Sequence, residues 1–186
     1  MRRKESEFKT IFFSESGTQK INNDYFGYVQ LDNYAIWVIA DGYDGEEGAN
    51  IASKLSVESA IEYFTAHPRF NKEVIKELFK YTNDTIKQKQ EEIERYSLMH
   101  TSLLIVISNY NKVLYGNIGN TRLYHIQGGY IVNQSSDDSV SQLLVQERAL
   151  DIKDIKSHRQ RNDLLQAIGD YSKIKPIISN DIKLLE

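Results

Sequence analysis

An α+β fold with largely antiparallel sheets is what this sequence predicts, on three observations. Strand-like segments open the chain, two helical stretches follow in succession, and strand-like segments then resume. The regular strand–helix alternation of a parallel sheet is missing. Two short turn pairs, Asp32-Asn33 and Gly128-Gly129, join strand-like runs directly, as antiparallel hairpins require.

Each element has its own signal. Residues 10–14, 25–31 and 34–40 are rich in β-branched and aromatic side chains and read as strands. Ile51, Leu55, Val57, Ala60, Ile61 and Phe64 recur on one helical face. Val74, Ile75, Leu78, Phe79, Thr82 and Ile86 do the same in a second, longer helix that runs to about Glu94. The unbroken apolar run inside 102–108 is that of a buried strand, and 113–118 returns after a turn at 109–111. Residues 122–127 and 130–133 flank Gly128-Gly129 as a hairpin. Short helices are predicted over 140–148 and 161–168, and a last strand over 176–185.

The 186 residues suit one domain with a real core, and 40% of them are apolar, which is a globular composition. The formal charge is -3 and no Lys/Arg stripe forms, so nucleic acid is not the expected partner. Arg2-Arg3-Lys4 is followed by Glu5 and Glu7 and reads as a solvated end. No apolar stretch approaches the roughly 20 residues of a membrane span, and no secretory-type segment is evident. A cytoplasmic location is the default expectation. Without cysteine there are no disulfides, zinc-thiolate sites or cysteine nucleophiles.

The sharpest chemical feature is Asp41-Gly42. It ends the apolar run 35–40 and opens a loop, 43–48, that leads into a helix. A carboxylate there, followed by glycines, can offer side-chain and backbone oxygens to one hard cation, the ligand type that magnesium and manganese favour. Taken alone, such a loop is more often a plain acidic turn. Asn22-Asn23-Asp24 is a second acidic turn just ahead of strand 25–31, and successive strands would place Asp24 and Asp41 near one sheet end. Lys20 lies close by and can meet a phosphate as a point charge, although a surface role is the commoner fate of a lysine. The four histidines have no metal-ligand spacing; His100 alone, at the start of the buried strand, invites attention. No phosphate-binding P-loop and no Gly-x-Ser-x-Gly elbow is present.

In order, these pieces resemble the type 2C (PPM) metal-dependent protein serine/threonine phosphatase family. Its opening Gly, basic residue and Asn-(Glu/Gln)-Asp turn are matched by Gly17, Lys20 and Asn22-Asn23-Asp24. Its Asp-Gly strand end and following Ala-Ser are matched by Asp41-Gly42 and Ala52-Ser53. Thr101-Ser102 stands for its Thr-(Ser/Thr) pair, and Asn117-Ile118-Gly119-Asn120-Thr121-Arg122 for its Asn-x-Gly-Asp-Ser-Arg. Ser135-Ser136-Asp137-Asp138-Ser139 and Leu164-Leu165-Gln166-Ala167-Ile168-Gly169 complete the series.

The resemblance implies a sandwich of two antiparallel β-sheets flanked by helices. It also implies hydrolysis of phosphoserine and phosphothreonine in protein substrates by a metal-activated water, with two Mg²⁺ or Mn²⁺ ions in a complete domain. On it, Asp41 bridges the metals, Gly42 gives a carbonyl, Asp24 holds one metal and Lys20 stands near the family's phosphate-binding Arg. Lys20, Asn23 and Asn120 depart from the family's Arg, Glu/Gln and Asp, and Tyr43 follows Asp-Gly where members often have His or Met. The family's late Asp-Gly and Asp-Asn carboxylates have no counterpart after Gly169, where only Asp170 and Asp181 occur. The expectation is therefore a single phosphatase-like domain over 1–186 that stops before its last structural third, with little or no turnover by itself. The alternative is a catalytically inactive phosphatase-like module that binds a phosphoprotein or regulatory partner.

Overall fold

The computed structural model describes residues 7–43, 47–170 and 173–184. Two long strands, β1 (Asp24–Gln30) and β2 (Ala35–Gly42), form the first hairpin. Its turn closes where the Leu31 amide donates to the Tyr34 carbonyl at 2.7 Å, around the expected Asp32-Asn33 pair. Helices α1 (Ala49–Ala66) and α2 (Lys72–Glu92) follow, and then β3 (Thr101–Ser108) and β4 (Lys112–Ile118). After the small hairpin of β5 (Tyr124–Gln127) and β6 (Tyr130–Gln134) comes α3 (Val140–Gln146). The last elements are two short strands, β7 (Ile177–Ile178) and β8 (Ile182–Lys183). The six-stranded antiparallel sheet runs β1-β2-β3-β4-β7, with β8 also paired to β4; β5-β6 is a separate two-stranded sheet. This is the α+β architecture of antiparallel sheets and helices that the sequence predicts.

Strand register sorts the side chains. On one face, Ile36, Val38 and Ala40 align with Ile107, Ile105 and Leu103, which align with Leu114, Gly116 and Ile118. The helices cover this face. Ala52, Val57, Ala60 and Phe64 of α1 and Val74, Ile75, Leu78, Phe79 and Ile86 of α2 are buried in the same cluster. The α1 face is made of small residues, including Ser53, Ser56 and Ser59, so the helix sits close to the sheet. At the start of α2, the Asn71 side chain caps the helix by accepting from the Val74 amide at 2.8 Å.

On the opposite face lie Phe26, Tyr28, Trp37 and Ile39, in the same row system as Asp24 and Asp41. Residues 10–14, predicted as a strand, form no strand ladder. They cross this face through side chains: Thr10 Oγ1 accepts from Trp37 Nε1 at 2.8 Å, and the Phe12 and Phe26 rings lie 3.8 Å apart. The predicted helix over 161–168 is also absent. Its backbone is used elsewhere: the Leu165 amide donates to Asp138, and Thr101 and Ile168 exchange two bonds at 3.1 and 2.8 Å. These tertiary bonds outweigh local helical preference. The last predicted strand is broken into β7 and β8, while α2 ends at Glu92 and α3 at Gln146. Part of the 43–48 loop and the Arg2-Arg3-Lys4 start fall outside the described residues. Among those described, no helix is long and apolar enough to cross a membrane.

Candidate active site

Asp24 is the first residue of β1 and Asp41 the penultimate residue of β2, and the antiparallel register sets them directly opposite. Directly opposed residues of such a pair project to the same face, with Cβ atoms about 5 Å apart. Both carboxylates are exposed on the face away from the helices. Two acids directly opposed in this way repel each other, and a cation bound between them would relieve that repulsion. The turn ahead of β1 is held by its own asparagines. Asn22 Oδ1 accepts from the Asp24 amide at 2.9 Å, Asn22 Nδ2 donates to Ser14 Oγ at 2.8 Å, and the Asn23 carbonyl accepts from the Gly42 amide at 3.0 Å.

Gly42 is required by packing. A Cβ there would lie 2.2 Å from the Ala49 carbonyl oxygen at the start of α1. Any side chain would push the helix off the strand end and displace Asp41 with it. On the next strand, Ser102 stands opposite Asp41, and its hydroxyl shares a 2.6 Å hydrogen bond with Thr121. Asp24, Asp41 and Thr121 share one open cavity of about 510 Å³ with residues 10–14. Asp41 also lines a smaller one of about 220 Å³ with Gly42, Tyr43, Asn120, Asn162 and Leu164. Lys20 lines neither. It sits in an adjoining groove with Asn23, Glu47, Tyr96 and the first residues of α1.

The later motif blocks serve the architecture around this site. Arg122 makes two parallel bonds to the buried Asp137, Nε to Oδ1 at 2.6 Å and Nη2 to Oδ2 at 2.5 Å. The hydrogen bonds to Asp137 raise the Arg122 pKa further above its ordinary value, although partial burial opposes them. Asp138 is buried, and desolvation pushes its carboxyl pKa up while the 2.9 Å bond from Gln166 Nε2 pulls it back. The Asp138 amide donates to the Gly119 carbonyl at 2.7 Å, and the buried Asn83 of α2 accepts from the Gly169 amide at 2.8 Å. His100 is engaged beside the site: its Nδ1 lies 2.8 Å from the Leu98 carbonyl and 3.3 Å from Asp170, and its ring stacks on Tyr43 at 4.6 Å.

The chemistry of the donor set fits a hard cation. Two carboxylates and the Gly42 carbonyl are oxygen ligands of the kind magnesium and manganese take, with water completing the shell. No cluster of three or more Asp, Glu, His or Cys side chains suited to a metal occurs among the described residues, so this set supplies part of a shell. Thr121, Ser102 and Asn162 border the site without having been singled out individually in the sequence. Thr121 and Ser102 lie inside motif blocks, whereas Asn162 carries no local signal.

The chain matches the protein phosphatase 2C family model over residues 14–170. It is 27% identical over 168 residues to the protein phosphatase PhpP of Streptococcus pneumoniae, covering 88% of this chain and 68% of that protein. The fold superposes on the serine/threonine phosphatase Stp1 of Staphylococcus aureus with a TM-score of 0.86 at 23% identity, covering 99% of this chain and 75% of that one. It also superposes on the catalytic domain of the phosphatase PstP, solved in complex with two manganese ions. That match has a TM-score of 0.73 at 20% identity and covers 89% of this chain and 67% of that one. With 157 consecutive residues of its sequence matched to one family model, the chain belongs to the protein phosphatase 2C family.

Proposed function

We propose that this chain carries the Asp24/Asp41 part of a Mg²⁺- or Mn²⁺-dependent site that hydrolyses phosphoserine and phosphothreonine in protein substrates. The observation that carries the reading is the register of β1 and β2, which opposes two exposed carboxylates at one sheet end. Asp24, Asp41 and the Gly42 carbonyl would hold the metal. When bound, it supplies a water of lowered pKa and positive charge to offset the phosphoryl oxygens. The packing of Gly42 on Ala49 fixes Asp41 against the start of α1, and the Asn22 turn fixes Asp24. Lys20, in the adjoining groove, adds a point charge for a phosphate but cannot form the bidentate contact an Arg would. The phosphoprotein substrates and metal dependence are inferred from family membership together with this donor set.

Calorimetry with Mn²⁺, paired with phosphate release from a phosphothreonine peptide, tests the reading. Asp41→Asn is expected to weaken Mn²⁺ binding by about tenfold or more, since even residues that only orient ligands are worth that much. It should also remove any manganese-dependent turnover. Unchanged Mn²⁺ binding in both Asp41→Asn and Asp24→Asn would refute the assignment.

A second reading, a catalytically inactive module that binds a phosphoprotein or regulatory partner, is favoured by one observation. Asn120, not an acid, faces the smaller cavity beside Asp41, and no third acid joins the pair among the described residues. Phosphopeptide binding with neither Mn²⁺ binding nor turnover would select it.

A further inference from the structure

On the helix-covered side of the sheet, opposite the face that carries Asp24 and Asp41, α2 and residues 173–178 enclose a groove of about 510 Å³. Its floor is apolar. Ile174 and Ile178 pack on the main core, with Pro176 between them in sequence. Its rim is basic, with Lys76 and Lys80 on α2 and Lys173 and Lys175 facing them from the other wall. Asp84 is the one acid among the lining residues, in a chain whose formal charge is -3. Lys76 and Lys80 pair with Glu73 and Asp84 of their own helix at 2.7 and 2.5 Å. Such exposed helical pairs are weak and readily exchanged. Lys173 and Lys175 have no ion-pair partner among the described residues. A concentration of positive charge around an apolar floor, on a protein negative overall, is complementary to one kind of surface.

We propose that this groove docks an acidic polypeptide segment, with Asp, Glu or phosphorylated side chains on the lysine rim and an apolar side chain on the Ile174–Pro176–Ile178 floor. It lies away from the carboxylate pair, so it acts as an anchoring surface for a partner, and it does not depend on the metal chemistry proposed above.

The probe is a fluorescein-labelled peptide of Glu and Asp residues around a central Leu-Phe pair, titrated with the whole chain and read by anisotropy. Saturable binding is expected that weakens with added salt. Lys173→Glu/Lys175→Glu should weaken it by about tenfold, equivalent to about 1.4 kcal/mol. The charge-matched Lys153→Glu/Lys156→Glu should leave it in place. If the reversal variant fails to fold, Lys173→Gln/Lys175→Gln with an unchanged circular-dichroism spectrum serves instead. Absence of binding, or binding indifferent to these lysines, would overturn the proposal. So would equal affinity for an all-acidic peptide lacking Leu-Phe, or for an oligouridylate, because charge alone would then explain the surface.

Discussion

At the residue scale, the acids of this protein divide by environment. Asp24 and Asp41 are exposed and directly opposed at one sheet end, where a bound cation would relieve their mutual repulsion. Asp137 is buried and engaged through both oxygens by Arg122; removing the half-exposed arginine would leave that carboxylate without its partner, a destabilisation that entering solvent would moderate. Asp138 is buried with only an amide donor, from Gln166, and its carboxyl pKa is raised by desolvation. A carboxyl whose folded-state pKa is raised binds protons more readily in the folded chain. Its contribution to stability is therefore fully present below the unfolded-state pKa and is lost as pH rises through the folded-state value. Burial makes the ionised form of Asp138 the costly one. Asp138→Asn is expected to raise Tm at pH 7, and the difference should close as pH falls through the carboxylate range. A lower Tm at pH 7, with the gap persisting in acid, would show that the carboxylate is needed for its charge.

At the element scale, close approach governs how the helices sit. A Cβ on Gly116 of β4 would stand 2.6 Å from Ile75 and 2.8 Å from Phe79, both buried on α2. Gly116→Ala should therefore lift α2 from the sheet. The expected loss is about 1–3 kcal/mol by denaturant titration, the usual range for an overpacked core. The carboxylate pair, on the other face, should keep its Mn²⁺ affinity. A variant as stable as the parent would mean that the helix adjusts without strain. The same element logic explains residues 161–168. Ile168 and Leu165 spend their backbone groups on Thr101 and Asp138, which ties the last motif block to the strand that faces Asp41.

At the scale of the whole molecule, the two faces of the sheet are unequal. The helix-covered face carries the buried core, whereas the other carries Ile11 and Phe13 at 82% and 83% exposure, with Tyr28 and Ile39 partly open beside them. The separate β5-β6 hairpin also exposes Tyr130, Ile131 and Val132. An exposed apolar patch such as that at Ile11 and Phe13 favours association. Sedimentation of the 21.5 kDa chain is expected to show weight-average mass rising with concentration, and Ile11→Ser/Phe13→Ser should reduce the effect. A monomer at all concentrations would show that the aromatic contacts of residues 10–14 already satisfy this face.

Much of the fold and the pairing at the centre of the candidate site were legible in the residues themselves. Period and turn chemistry are local properties, so the hairpin at Asp32-Asn33, the glycine hairpin at Gly128-Gly129 and both long helices appear where their patterns lie. Asp24 and Asp41 were legible as a pair because a two-residue turn between strands fixes register, and register fixes which side chains meet. Only the tertiary structure decided the rest. Residues 10–14 and 161–168 have strand-like and helix-like composition, yet their neighbours in space take up their side chains and backbone groups. Lys20 stands in a groove lined by Asn23 and the first residues of α1, outside both cavities that Asp41 lines. The lysine groove joins positions about a hundred residues apart, a relation that no local pattern can carry.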